Sequence, residues 1–160
     1  MSFTDSQREG LTGTATTDFV TVRIANQWFG IPVEGIHDVF MLQAVTHVPL
    51  ARSEVAGVLN LRGRIVTAID VRHLLDLPPS EEDAKPMAIG IEKAGESYGL
   101  VIDEVGEVLS LEDAAFESNP ANLDACWQGI SKGVYRLDGS LLVVLDTERV
   151  LAFEEPVQAA

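Results

Sequence analysis

The chain's 160 residues, 46% of them apolar, suffice for one compact domain that buries most of its apolar surface, which excludes a disordered chain. Its formal net charge of −14 argues against a nucleic-acid backbone or an anionic membrane as partner. No uncharged apolar run approaches the roughly 20 residues of a transmembrane helix. The single cysteine, Cys126, excludes an intramolecular disulfide and is typical of a protein in a reducing cytosol.

The first third of the chain predicts a tail followed by a hairpin. Residues 1–17 are rich in Ser, Thr and Gly and are interpreted as a flexible N-terminal tail. They lack the basic start and apolar block of a signal peptide. Alternating apolar residues predict a hairpin from residues 19–24 and 27–31. Further on, residues 52–56 are expected to form one helical turn with Gly57 as its C-cap.

A second hairpin and a short helix are expected next. Residues 58–61 and 64–69 read as two strands joined by a tight turn. Asp70 is a plausible N-cap for a helix over residues 70–75. An acidic linker at residues 80–86 then separates a first subdomain from a second.

The rest of the chain restates this plan. Strands are predicted at residues 87–92, 98–103, 105–109, 133–137 and 140–145, with a loop at 112–123. Asp146 is expected to cap a closing helix over residues 146–153, and residues 154–160 form a C-terminal tail. The predicted division is one domain at 18–153, with a first subdomain at about 18–79 and a second at about 87–153.

Two blocks of sequence occur twice. Residues 29–39 align without a gap on residues 98–108, and residues 58–70 align on residues 134–146. Such self-similarity predicts two copies of one supersecondary unit folded on each other. Short strands at close spacing predict an all-β protein built of two small barrels side by side, one per repeat.

The copies differ sharply at one turn. The second repeat turns with Asp138-Gly139, a strong hairpin signal because both residues tolerate a positive φ. The first turns with Arg62-Gly63, where arginine gives no advantage to a tight turn. We therefore interpret Arg62 as a functional residue.

Residues that could carry catalysis or bind a cofactor show no supporting pattern. The histidines His37, His47 and His73 lack the i,i+4 spacing of metal ligands, and Cys126 has no cysteine or histidine nearby. No glycine-rich phosphate-binding run occurs. Neither an enzyme nor a bound metal or cofactor is expected, and a protein that works by binding other proteins fits best.

Four of the eleven basic residues fall close together, at Arg52, Arg62, Arg64 and Arg72. In an acidic protein this locally basic segment is either a solvated face with chance clustering or a docking patch for an acidic protein surface.

A longer motif carries a family resemblance. The stretch 55–66, with Asn60-Leu61-Arg62-Gly63 at its centre and followed by Ile69-Asp70-Val71-Arg72, resembles the signature of the CheW family of bacterial chemotaxis coupling proteins. Residues 99–109 and 133–151 resemble that family's second half. The resemblance covers about residues 19–153. Asn-Leu-Arg-Gly within this longer frame is a specific signal.

The resemblance implies an all-β fold of two pseudo-repeated, interlocking SH3-like five-stranded barrels with short helices. It also implies a non-catalytic, cytoplasmic adaptor that couples the cytoplasmic tips of chemoreceptors to the histidine kinase CheA in membrane-associated arrays. In the family, the receptor tip lies in a groove between the two barrels, and CheA's regulatory domain has the same fold.

Residue by residue, the resemblance implies partner-binding roles at eight positions. These are Ile36, Asp38, Val39, Gly57, Arg62, Gly63, Val105 and Val108. Asp38 stands where the family usually has glutamate, and Thr67-Ala68 replace a frequent Pro-Val. The pseudo-symmetry of the repeats predicts that the four apolar members line one shared cleft for an amphipathic helix.

Three alternatives stay open. The chain is a coupling protein of a pilus-motility system, the regulatory domain of a CheA-type kinase, or an enzyme built on small barrels. The start at Met1 and the polar tail favour a complete coupling protein. No receiver-like segment follows residue 153, which argues against a fusion to a phosphoacceptor domain.

Overall fold

The computed structural model describes residues 15–42, 45–49, 55–79 and 85–151. Over these ranges the chain forms ten strands, three four-residue helices and two 3₁₀ turns. The strands are β1 (Thr16–Ile24), β2 (Gln27–Pro32), β3 (Asp38–Met41), β4 (Val55–Leu61), β5 (Arg64–Asp70), β6 (Met87–Lys93), β7 (Glu96–Ile102), β8 (Glu104–Glu112), β9 (Ser131–Leu137) and β10 (Ser140–Leu145). The helices are α1 (Val71–Leu74), α2 (Ala125–Gln128) and α3 (Thr147–Val150), and the 3₁₀ turns are Val33–Gly35 and Asp113–Ala115.

The predicted hairpins form where the alternating pattern places them. Strands β1 and β2 pair antiparallel across a two-residue turn that brings Ile24 opposite Gln27. Strands β4 and β5 do the same with Leu61 opposite Arg64, and β9 and β10 with Leu137 opposite Ser140. The predicted N-caps also form: the Asp70 carboxylate accepts the His73 N–H, and the Asp146 carboxylate accepts the N–H groups of Glu148 and Arg149.

Each five-stranded sheet is assembled from both repeats. One sheet has the order β8-β1-β2-β10-β9 and the other β3-β6-β7-β5-β4. Exchanging each strand for its repeat equivalent (β1 for β6, and so on to β5 for β10) converts one order into the other. The mostly β fold of two pseudo-repeated units is confirmed. The side-by-side arrangement with one barrel per repeat is wrong, because the two halves exchange strands and thereby interlock.

Parallel pairs hold the exchanged strands together at equivalent positions. Phe29 of β2 lies opposite Val143 of β10, and Tyr98 of β7 lies opposite Thr67 of β5. The repeat alignment places Phe29 on Tyr98 and Val143 on Thr67. The alternation of apolar and polar residues within a strand is the same whichever repeat supplies the neighbouring strand. The sequence pattern therefore could not predict the exchange of strands.

One bridge in each half brings the sheet towards closure. Beyond β3, Thr46 pairs with Val58 of β4, and beyond β8, Glu117 pairs with Val134 of β9. Val58 and Val134 are repeat equivalents. Within the described residues neither sheet closes completely, since β3 and β4, like β8 and β9, end their sheets without a continuous ladder.

The largest core lies between the two sheets and draws on both. It contains Phe29, Ile31, Leu100 and Ile102, each with at most 1% of its surface exposed. Each sheet also contributes a smaller core of its own, one around Phe19 and Leu142 and the other around Leu59 and Val66. Burial of these apolar faces is the main stabilising contribution.

Two local predictions need correction. Val55 and Ala56 belong to β4, so Gly57 lies within a strand and is not a helix C-cap. The antiparallel pairing of β4 with β5 places Val55 opposite Ile69, and this pairing overrides the weak helical pattern of residues 55 and 56. The closing helix is described only at Thr147–Val150.

Helix α2 and strand β3 went unpredicted. Asp124, whose carboxylate accepts the Cys126 N–H, is a helix-start signal that the loop prediction at 112–123 left unused. Predictions for residues 1–14, Arg52, residues 80–84 and the C-terminal tail lie outside the described residues.

Candidate protein-interaction surface

The Arg62-Gly63 turn holds an arginine in a backbone conformation that suits glycine or asparagine better. Arg62 has a φ of 51° and Gly63 a φ of 84°, the signs required by a type I′ turn. The Gly63 N–H donates to the Asn60 side-chain oxygen at 2.9 Å, which stabilises the turn. Asp138, the repeat equivalent of Arg62, does not share the positive φ, although Gly139 does. The arginine thus occupies the less favourable conformation.

The Arg62 side chain reaches from this turn towards Asp38. Arg62 Nη1 lies 3.4 Å from Asp38 Oδ2, with the arginine side chain 73% exposed and the aspartate 22%. So long and exposed an ion pair stabilises the fold by well under ~1 kcal/mol. The Asp38 carboxylate packs over Gly90, where any Cβ would collide with Asp38 Oδ1. The structure therefore brings together two predicted site residues and leaves the guanidinium largely in solvent.

Val39 and Val108 lie exposed on the outer strands. Strand β3 ends one sheet and β8 ends the other, and the two valines are repeat equivalents. Val39 is 40% exposed and Val108 is 58% exposed, so neither is a core residue. An edge strand with exposed apolar side chains is a surface suited to a partner. The structure does not show the two valines in contact.

Ile36 and Val105 occupy different surroundings. Both are half-buried and pack against the central core between the sheets. The predicted four-residue cleft is therefore divided into two side chains that support the core and two that face solvent. Its proposed role in binding an amphipathic helix stays a prediction.

Gly57 lies in β4 where the Thr46 carbonyl crosses it. A Cβ at position 57 would collide with Thr46 O, and a Cβ at the equivalent Gly133 would collide with Glu117 O. Both glycines therefore permit the bridges described above. This structural reason accounts for Gly57 without any contact to a partner.

Only some of the arginines in the basic segment are exposed on the surface. Arg62 and Arg64 are exposed, and Arg52 lies outside the described residues. Arg72, in contrast, is 17% exposed and forms a two-pronged ion pair with Asp103. Arg72 is thus a structural residue, and any docking patch centres on the β4–β5 turn.

A neighbouring exposed residue was missed by the sequence analysis. Met41 is 53% exposed and lies two residues after Val39 on β3, so both project from the same face of the strand. An interpretation of residues 38–41 as a strand would have placed Met41 on the same face as Val39 and so revealed its exposure.

Within the described ranges the chain has no group of three or more histidine, cysteine, aspartate or glutamate residues placed to hold a metal ion. None of the helices described there is long and apolar enough to cross a membrane.

Two of the described side chains, Asp103 and Tyr135, have clearly shifted pKa values, and both lie outside the predicted site. Burial raises the pKa of Asp103, but hydrogen bonds from Arg72 and the Ala25 N–H outweigh this and lower the pKa overall. Burial, with the charge of Asp113, raises the pKa of Tyr135.

Comparison with known proteins places this architecture in a family. The model of the CheW-like domain matches residues 18–155. Chemotaxis protein CheW of Thermotoga maritima is 28% identical over 134 residues, covering 84% of this chain and 87% of that protein. Chemotaxis protein CheW of Bacillus subtilis is 27% identical over 131 residues, covering 82% and 84%.

A solved structure agrees in fold. The crystal structure of the scaffolding protein TtCheW from Thermoanaerobacter tengcongensis superposes with a TM-score of 0.72 at 22% identity, covering 82% of this chain and 89% of that one. The chain belongs to the CheW-like domain family, a family of non-catalytic scaffold proteins. It is thus a scaffold or coupling protein of chemotaxis, and the prediction that it is not an enzyme is confirmed.

Proposed function

We propose that this protein couples the cytoplasmic tips of chemoreceptors to the regulatory domain of the histidine kinase CheA, within arrays on the cytoplasmic side of the membrane. Family membership supports the scaffold role, and the exposed Arg62 supports a contact surface at the β4–β5 turn. The single observation that carries the proposal is an arginine held at φ 51° in a tight turn. Folding alone favours asparagine, aspartate or glycine there.

The surfaces available for two partners follow the pseudo-symmetry. Arg62 with Asp38 lies on the sheet that ends in β3, and Val108 lies on β8 of the other sheet. A scaffold needs at least two separate contact regions, and the exchanged strands fix these regions relative to one another. The guanidinium can pair with a carboxylate or a carbonyl of the partner.

A reconstitution with a matched pair of variants tests the proposal. Receptor cytoplasmic fragments and CheA from the same organism are mixed with wild-type protein, Arg62→Ala or Asp138→Ala, and kinase activation and co-sedimentation are measured. Asp138 occupies the equivalent turn in the other repeat, so it controls for general turn effects. We expect Arg62→Ala to lower binding of at least one partner by about tenfold or more, as for a hot-spot arginine. Equal coupling by wild type and Arg62→Ala would overturn the role of this turn.

A further inference from the structure

A cavity of about 470 Å³ opens on the sheet that contains β1, far along the chain from the Arg62 turn. Its walls include Phe19, Phe116 and Tyr135. The rings of Phe19 and Phe116 both contact the Tyr135 ring, with centroid distances of 5.5 and 5.3 Å. This volume lies within the roughly 300–1,000 Å³ range of small-molecule sites.

The aromatic walls are particular to one half of the fold. The repeat equivalents of Phe19 and Tyr135 are Ala88 and Leu59, neither of which is aromatic, although Phe40 packs against the cluster that contains Leu59. The repeated fold therefore does not require a tyrosine at position 135. Phe116, on the rim, is 39% exposed although its ring has a partner in Tyr135.

Tyr135 carries a hydroxyl without a hydrogen-bond partner among the described residues. Only 3% of the residue is exposed, so water satisfies this group poorly. Burial and the nearby charge of Asp113 raise the pKa of Tyr135, and its phenolic hydroxyl can either donate or accept a hydrogen bond. Asp113 also lines the cavity, so the hydroxyl lies within electrostatic range of this rim.

The charges on the rim leave one cation uncommitted. Asp113 Oδ1 accepts the Thr17 hydroxyl at 2.7 Å, and Asp146 caps α3 and lies 3.5 Å from Arg149 Nε. Lys132 also lines the cavity and is exposed, and no carboxylate among the described residues pairs with it. An apolar body with a negative group is the ligand that complements such a site.

We propose that this aromatic cavity binds a small aromatic carboxylate, with the ring against Phe116 and the cavity-lining edges of Phe19 and Tyr135 and the carboxylate at Lys132. The Tyr135 hydroxyl hydrogen-bonds a polar atom of the ligand's ring system. Because Asp113 disfavours a second negative group on its side of the rim, the ligand carries a single carboxylate. The proposal does not depend on which proteins the scaffold couples.

Calorimetric titration of the full chain with three probes tests the proposal. The probes are indole-3-acetate, uncharged indole-3-acetamide and cationic tryptamine, which share one ring and differ in charge. We expect indole-3-acetate to bind with a Kd on the order of 0.1 mM, a value ordinary for a ligand of this size. The amide should bind about tenfold more weakly, as expected for loss of one charge-assisted contact.

Three variants assign the residues. Tyr135→Phe removes only the hydroxyl and should weaken indole-3-acetate binding about fivefold or more, consistent with one lost hydrogen bond. Lys132→Gln should abolish the preference for acetate over amide. Lys85→Gln, an exposed lysine outside the cavity, should change nothing. A lack of saturable binding at millimolar concentration, a preference for tryptamine, or affinities that Lys132→Gln and Tyr135→Phe leave unchanged would each overturn the proposal.

Discussion

Arg72 and Asp103 form a two-pronged ion pair that connects the two halves of the fold. Arg72 Nη2 lies 2.6 Å from Asp103 Oδ2, and Arg72 Nε lies 3.0 Å from Asp103 Oδ1. Arg72 belongs to α1, which follows β5, while Asp103 lies between β7 and β8. The same carboxylate accepts the Ala25 N–H from the β1–β2 turn at 2.8 Å. The Asp103 side chain thus links the β7–β8 connection, in which it lies, to helix α1 and to the β1–β2 turn.

Substitution Asp103→Asn is expected to destabilise the fold strongly. The amide keeps the shape of the side chain but removes the charge opposite a guanidinium that is only 17% exposed. Breaking a buried pair by removing one partner costs about 3–5 kcal/mol, and the partial exposure here reduces this to roughly 2 kcal/mol or more. Urea unfolding at neutral pH measures it. A loss below ~0.5 kcal/mol would show that water replaces the lost contact. Glu104→Gln, which alters an exposed pair with Arg23, is the matched control.

The same pair predicts a loss of stability in acid. The folded-state pKa of Asp103 is lowered because the hydrogen bonds and charge of Arg72 outweigh desolvation. A carboxyl with a depressed folded pKa stabilises the fold fully above its unfolded pKa of about 4, and this contribution disappears as the pH falls towards the folded pKa. The free energy of unfolding should therefore decline below about pH 4, and more steeply for wild type than for Asp103→Asn. Parallel pH profiles for both proteins would contradict the assignment.

Two glycine substitutions should show the pseudo-symmetry in solution. Alanine at position 57 collides with Thr46 O, and alanine at position 133 collides with Glu117 O, each a backbone atom that cannot move freely. We expect each variant to lose about 2 kcal/mol or more, in line with overpacking of a tight site. Gly35→Ala, where no atom lies within 4 Å of the added Cβ, should stay within ~0.5 kcal/mol of wild type. Tolerance of alanine at either bridge glycine would show that the bridge is dispensable.

Local chemistry carries most of the sequence prediction of the strands. Alternation fixes hairpins because each strand buries one face, and Asp70 and Asp146 cap helices because their carboxylates accept nearby N–H groups. The exchange of strands was not predictable by these means. Val143 would alternate in the same way beside Phe29 or beside Tyr98, and only the packing of the whole fold decides between them.

The site residues, like the strands, could be predicted where the signal is local and not where it depends on long-range packing. Arg62 stood out because its residue type conflicts with its turn, a signal contained in the sequence itself. The exposure of Val39 and the burial of Ile36 could not be predicted, because residues 33–41 combine a 3₁₀ turn with a short edge strand and show no single period. The structural role of Arg72 depends on Asp103, which lies 31 residues further along the chain.

Substitution Arg62→Asn should stabilise the protein and impair its function together. Asn-Gly is the preferred pair for a type I′ turn, and position 62 already has a φ of 51°. The lost contact with Asp38 is long and exposed, so we expect a melting temperature equal to or slightly above wild type. Kinase activation in the reconstituted system should fall. A lower melting temperature would indicate that Arg62 serves the fold, and unchanged activation would separate the turn from coupling.

Polar substitutions of the four apolar positions should divide them into two pairs. Val39→Ser and Val108→Ser change side chains that are 40% and 58% exposed, so each should lower stability by no more than ~0.5 kcal/mol. Ile36→Ser and Val105→Ser change side chains packed against the central core, and each should lose about 1–3 kcal/mol. Thermal and urea unfolding measure these differences before any binding assay.

Binding by the two folded variants then decides the role of the edge strands. If β3 and β8 each contact a partner's apolar helix face, Val39→Ser or Val108→Ser should weaken receptor or CheA binding about fivefold or more, by loss of buried apolar area. Raising the salt concentration should have a smaller effect on these contacts than on the Arg62 contact, because screening acts on charges. Full-strength binding by the Val39→Ser, Val108→Ser double variant would exclude both strands from the interface. Loss of binding in high salt alone would assign recognition to charge and leave the exposed valines without a partner.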